Sequence, residues 1–178
     1  MQKQTQRTSD VLDYKTDDDI DTVIDRYSSM VYKIALTNMK SKFDAEDIFQ
    51  EVFLRYMKNN RPFASEEHRK AWLIRVTVNC CKSAYIAPWN DNISLDDIGE
   101  VADTFSQTDK EVYKEILKLP IDFKTVIILF YYEDMSVSEI AKTLKLTEGA
   151  VKMRLSRARN LLKLNLEAEE DKEQHETN

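Results

Sequence analysis

The stretch "SVSEIAKTLKLTEGAVKMRLSRARNLLK", residues 136–163, decides the reading of this chain. From Ile140 to Lys163 it holds seven basic side chains, Lys142, Lys145, Lys152, Arg154, Arg157, Arg159 and Lys163, against one acid, Glu148. Seven less one makes the window +6 in a chain of formal net charge −6, so everything outside it sums to −12. "SVSE" has capping-box spacing, with Ser136 at the N-cap and Glu139 at N3, and marks a helix start. Ile140, Ala141 and Leu144 then fall on one short helix, Leu146 in a turn, and Val151 and Leu155 on the next helix. The small side chain at Ala141 lets the two helices cross closely, and the apolar positions seal their junction.

That is the pattern of a helix-turn-helix, whose second helix enters the major groove of DNA. Lys145 stands where such turns often place glycine, so the turn must manage without it. At 100° per residue, Val151, Leu155, Ala158 and Leu162 form a narrow apolar stripe on the second helix. The opposite side presents Gly149, Lys152, Met153, Ser156, Arg157 and Asn160, and Thr147 and Glu148 at the helix start are further candidates for DNA contact. Arg154 flanks the stripe on one edge, Arg159 and Lys163 on the other. Such a helix can touch base edges with its outward face while its cationic flanks reach phosphates on both groove walls. A merely solvated basic face is the plain alternative, but a soluble helix ordinarily mixes charge signs. The acidic remainder repels DNA and discourages the rest of the surface from binding it non-specifically.

Composition sets the frame. Of 178 residues only two are glycine and three proline, with 33% charged and 42% hydrophobic, which makes turns scarce and favours helix. The longest apolar run, Val126–Tyr132, is far short of the roughly 20 residues of a membrane span. The N-terminus "MQKQTQRTSD" lacks the apolar segment of a signal peptide. The expected location is cytoplasmic, without membrane insertion. Cys80 and Cys81 are adjacent, and His68 and His175 lie far apart, so neither a metal site nor a long-loop disulfide is expected. No Gly-rich phosphate loop, nucleophile elbow or triad is present, so neither catalysis nor a cofactor is expected.

Along the chain, helical periodicity dominates. An acidic N-terminal segment, residues 1–21, precedes a helix from about Ile20 to Met39, which "KSKF" breaks. Asp44 is read as the next N-cap, followed by the apolar set Ile48, Phe49, Val52, Phe53, Tyr56 and Met57. "NNRP" stops that helix, and Ser65, Glu66 and Glu67 start one that runs to about Ile86. Residues 90–109 hold six acids and no Lys or Arg, and 89–109 read as an extended linker. "KEVYKEILKL" ends at Pro120, "DFKTVIILFYY" reads as an apolar helix of about three turns, and the acidic tail (165–178) is expected to fray from 167 onward. The expected fold is all-α, two small helical domains joined by a flexible tether.

Three segments together carry a resemblance: "DAEDIFQEVFLRYMK" (44–58), "HRKAWLIRVTVNCCKS" (68–83) and "LPIDFKTVIILFYYEDMSVSEIAKTLKLTEGAVKMRLSRARNLLK" (119–163). In this order and separation the chain resembles a bacterial RNA polymerase sigma factor of the small, two-domain extracytoplasmic-function group, over roughly residues 22–164. The resemblance implies a region 2-like domain at 22–88, holding core polymerase and the minus-ten element. It implies a region 4-like domain at 110–164, reading the minus-thirty-five element. By similarity the 44–58 helix contacts polymerase through Asp47, Gln50, Glu51 and Leu54, which cluster off its apolar face at i, i+3, i+4 and i+7. The implied partners are core polymerase, through its clamp helices and flap, promoter DNA, and an anti-sigma factor.

The 66–86 helix is similar to the one that captures the non-template strand. Trp72, Arg75, Asn79 and Lys82 fall on a single stripe, and mixed aromatic, cationic and amide groups suit unstacked bases and phosphates. The loop 59–65, with Arg61, Phe63 and Ser65, occupies the position that pockets a flipped base in the family, with Phe63 as a stacking platform. Trp72 has a second reading as a core residue. Where family members often continue this helix into an arginine-rich run, this chain reads "AYIAPWNDN" (84–92), leaving only Lys82. A stand-alone helix-turn-helix regulator is the rival reading. Response regulators of that class carry an α/β receiver, and the first half shows no strand alternation.

Overall fold

The computed structural model describes residues 20–85 and 107–176. Among them there are seven α-helices and no strand: α1 (Ile20–Asn38), α2 (Lys42–Met57), α3 (Glu66–Tyr85), α4 (Gln107–Lys118), α5 (Ile121–Ile127), α6 (Val137–Leu144) and α7 (Glu148–Glu176). Residues 1–19 and 86–106, with the acidic N-terminal segment and most of the expected linker, lie outside the described residues. Residues 107–109, read from the sequence as linker, are the first turn of α4.

Local signals set the helix ends. Ser41, not Asp44, caps α2: its Oγ accepts the Asp44 backbone N–H at 3.1 Å. Asp44 is therefore at N3, where a carboxylate favours the positive helix end. Ser65 caps α3, its Oγ accepting the His68 N–H at 3.2 Å. Pro120 ends α4 and leads directly into α5. The apolar helix does not run straight for three turns: Ile128–Tyr132 widen into a π-helical turn, in which the Glu133 N–H bonds the Ile128 carbonyl at 3.1 Å. Such turns re-aim the residues that follow, and Asp134, at φ 51°, completes the exit. Ser136 and Glu139 form the expected reciprocal capping box at the start of α6. The tail expected to fray continues α7 through Glu176. Its Glu, Lys and Ala residues are strong helix formers, which explains the extension.

Helices α1–α3 form the front body. Val23, Tyr27, Val31 and Ile34 pack against Ala45, Ile48, Val52 and Phe53, and against Leu73, Ile74 and Val78, all buried. In the rear body, α4–α7 close over Tyr113, Ile116, Val126, Ile127, Ile128, Leu129, Ile140, Val151, Leu155 and Ala158. Each fully buried Ile, Leu or Val contributes about 1.5–3 kcal/mol relative to exposure. Cys80 and Cys81 are buried free thiols. Burial pushes the Cys81 thiol up to about 12.

The two bodies are docked rather than apart, and their cores are continuous. Helices α1 and α3 of the front meet α4, α5 and α6 of the rear. At the seam the Thr37 and Tyr113 hydroxyls share a buried hydrogen bond of 3.0 Å, and Lys33 pairs with Glu133 at 3.0 Å. Lys124 is buried there with its ammonium 3.3 Å from the Leu117 carbonyl.

Candidate nucleic-acid interface

The rear surface is built around the α6–α7 turn. Lys145 takes the left-handed conformation that glycine would adopt freely, at φ 56° and ψ 46°. Its neighbour Leu146 donates its N–H back to the Ala141 carbonyl at 2.9 Å, closing the end of α6 as such left-handed caps do. Thr147, expected to meet DNA, caps α7 through its Oγ1, which accepts the Ala150 N–H at 3.1 Å. The buried stripe is as the periodicity required: Val151, Leu155 and Ala158 are buried and Leu162 half-buried. Glu148, Gly149, Lys152, Met153, Ser156, Arg157, Arg159, Asn160 and Lys163 are all exposed. Met153 is 53% exposed, an apolar tip amid the cations. A Cβ on Gly149 would meet nothing nearer than Thr147 Oγ1 at 3.9 Å. Packing therefore does not require glycine there; what it supplies is bare backbone on the outward face.

Arg154 differs from the rest. It is half-buried and turned toward the front body, 3.2 Å from one carboxylate oxygen of Asp122. The other Asp122 oxygen holds Lys82 at 2.7 Å. Around this carboxylate lies a cleft of about 430 Å³ between the bodies. Trp72, Arg75, Asn79 and Lys82 from α3 line one wall, and Leu144, Lys145, Leu146 and Arg154 the other. The Arg75 guanidinium donates to the Thr143 carbonyl at 3.4 Å. The single stripe on α3 is thus real, and it faces the rear body.

The loop before α3 is less open than its sequence suggested. Phe63 is 9% exposed, so its ring is not a free platform. It stacks on Tyr56 with centroids 5.7 Å apart, meets Trp72 edge-on at 5.7 Å, and lies under the Arg69 guanidinium at 5.7 Å. Trp72 packs edge-on against Tyr56, as its core reading required, and also lines the cleft. Arg61 is exposed, while Ser65 is committed to capping α3. Below the loop, Glu66 accepts from Tyr27 and from Arg26 at 2.9 Å, and pairs with buried Arg69 at 3.3 Å. Burial alone would raise the Glu66 carboxyl, but the hydrogen bonds from Tyr27 and Arg26 and the Arg69 charge together hold it below the usual carboxylate range.

On α2, Asp47 and Gln50 are exposed, Leu54 is 42% exposed, and Glu51 is half-buried and bonded to Arg55 at 2.6 Å. Two neighbours escaped the sequence reading. Phe43, 75% exposed, and Met57, 54% exposed, extend the same stripe at both ends. Met57 was expected on the apolar face, and Phe43 in the break before the helix. Once Ser41 is recognised as the cap, the helical phase carries Phe43, Asp47, Gln50, Leu54 and Met57 along one side.

Comparisons with known proteins divide the chain at the same place. Residues 23–87 match the family model for Sigma-70 region 2, and residues 109–162 that for Sigma-70, region 4. The ECF RNA polymerase sigma factor SigW of Bacillus subtilis is 26% identical over 162 residues, 81% of this chain and 87% of that protein. The RNA polymerase sigma factor SigV of the same species is 27% identical over 154 residues, 84% and 92% of the two chains. Among solved structures, the sigma factor RpoE of Bartonella quintana, co-crystallised with the anti-sigma factor NepR, matches with a TM-score of 0.63. That match has 21% identity and covers 84% of this chain and 97% of that one, a likeness of fold.

Proposed function

The chain belongs to the extracytoplasmic-function sigma factors of the sigma-70 family, and on that premise we propose that it binds core RNA polymerase and directs it to a specific set of promoters. Residues 22–88 hold core polymerase, through Asp47, Gln50, Glu51 and Leu54 on α2, and open the minus-ten element with the α3 stripe. Residues 110–164 read the minus-thirty-five element with the outward face of α7. The acidic stretch between them acts as a tether, so that once one contact has formed the second gains a high effective concentration. The polymerase supplies the chemistry. An anti-sigma factor is a further partner, of the kind NepR is for RpoE of Bartonella quintana.

One observation carries this reading: the most basic segment of an acidic chain, +6 over Ile140–Lys163, includes the solvent-facing side of the second helix of a helix-turn-helix. A test uses duplexes selected from a random pool with the purified protein. Arg157→Ala and Lys152→Ala should weaken duplex binding and leave association with core polymerase intact. Asp47→Ala with Glu51→Ala should do the reverse. Loss of core binding in the first pair, or unaltered core affinity in the second, contradicts the division of labour.

A further inference from the structure

The loop 59–65 is pinned at both ends by side chains to which nothing above gives a role. Asn59 closes a tight turn on Arg61: its Nδ2 donates to the Arg61 carbonyl at 3.1 Å, and its Oδ1 accepts the Arg61 N–H at 3.4 Å. At the other end His68 takes part twice. Its backbone N–H goes to Ser65 Oγ at 3.2 Å, and its Nδ1 accepts the Ala64 N–H at 3.1 Å. Ser65 is the N-cap of α3 and His68 its N3 residue, so imidazole stands where a capping box places Glu or Gln. The ring reaches one residue further back than that motif does, to the last loop residue before the cap. A neutral imidazole with its proton on Nε2 offers this acceptor at Nδ1. The same ring meets Phe63 edge-on at 5.6 Å.

Resting on the sigma-factor reading of this loop, we propose that His68 and Asn59 are positioning residues for minus-ten recognition. They fix the loop backbone so that Arg61 meets one base of the melted strand in one geometry. Phe63 is buried against Tyr56 and Trp72, whereas Arg61 is exposed and stands between the Asn59 turn and the His68 anchor. Both pins act through the backbone: they hold the residues on either side of the guanidinium and not the guanidinium itself. A contact surface ordered before its partner arrives loses less freedom on binding. Without the pins Arg61 still attracts phosphates, so affinity largely survives. What shrinks is the difference between a correct and an incorrect base, because a mobile guanidinium can meet several. Loss of one such hydrogen bond changes a local equilibrium by about two- to tenfold.

The test uses the full chain with core RNA polymerase on a promoter mapped with the parent, and on templates carrying each single base change in its minus-ten element. Arg61→Ala identifies the base that the loop reads, as the position where discrimination falls. His68→Ala and Asn59→Ala should each lower discrimination at that same position about two- to tenfold, and leave it unchanged at the minus-thirty-five element. His68→Gln keeps a side-chain acceptor at N3 and should hold discrimination near the parent value. A merely structural role would reduce transcription from all templates by one common factor, and that result overturns the proposal. So does a His68→Gln chain as indiscriminate as His68→Ala, or an Arg61→Ala chain that leaves every position unchanged. Absence of protein-dependent transcripts with the parent chain would instead refute the sigma-factor reading on which the proposal rests.

Discussion

Replacing Lys124 with methionine should stabilise this protein, although it deletes a charge and a hydrogen bond. The ammonium is buried at the seam, near Cys81 of α3 and Lys40 in the break between α1 and α2, with the Leu117 carbonyl of α4 as its hydrogen-bond acceptor. Burial, reinforced by Lys40, lowers its pKa from 10.5 to about 8. At 1.36 kcal/mol per pH unit, holding the charged form there costs about 3 kcal/mol at neutral pH. Methionine fills a similar volume without that cost, while the abandoned Leu117 carbonyl offsets about 1 kcal/mol. The net gain of about 2 kcal/mol corresponds to a rise of about 4–8 °C in Tm for a chain of this size. The pH dependence supplies an internal control. Between about 8 and 10.5 the unfolded chain binds a proton at Lys124 that the native chain does not, so parent stability rises with pH across that window. Below about 8 both states carry the proton and the contribution is flat. The Cys81 thiol, held at about 12, stays neutral throughout. Urea denaturation of parent and variant at pH 7 and pH 10 measures both effects. Lys124→Met should be more stable at pH 7, and the difference should shrink at pH 10. A variant less stable at pH 7, or a difference independent of pH, would refute the reasoning.

Three further substitutions probe the scaffold. Glu66→Gln removes the carboxylate that faces buried Arg69 and should cost about 1–2 kcal/mol in urea denaturation, allowing for the partial exposure of Glu66. Because the Glu66 carboxyl is held below its usual range, the parent should lose that advantage as pH falls through its lowered pKa, and the two chains should converge in acid. Lys145→Gly relieves a left-handed backbone and should raise stability by about 0.5–1 kcal/mol, read as a higher Tm. Ser136→Ala deletes the capping-box acceptor of α6 and should cost about 1 kcal/mol, read as a lower urea midpoint at constant slope.

Local physics explains what was legible in the sequence. The buried stripe of α7 and its outward cations follow from a 3.6-residue period within one segment, and the α6 cap follows from a four-residue motif. Errors arose where two local signals competed or where tertiary packing chose. Ser41 and Asp44 are both good caps, and the helix took the earlier one, which brought Phe43 into its first turn; Met57 lies on the exposed side by the 3.6-residue period itself. Phe63 lies in a polar loop, yet Tyr56 and Trp72 offer it an aromatic bed that only the α2–α3 crossing creates. The acidic tail lacks an apolar stripe, but its helix-forming composition continues an already nucleated α7. Least legible was the seam. Asp122 is 40 residues from Lys82 and 32 from Arg154 in sequence, and no periodicity links charges on different helices. Lys124 likewise looks like an ordinary surface lysine until α1 and α3 close over it.

Transcription of genomic DNA by purified core RNA polymerase, with and without this protein, followed by mapping of the transcript starts, tests the central claim most directly. New starts should appear only with the protein, each preceded by the same pair of short elements at fixed spacing near minus ten and minus thirty-five. No protein-dependent starts, or starts sharing no such pair, would contradict it.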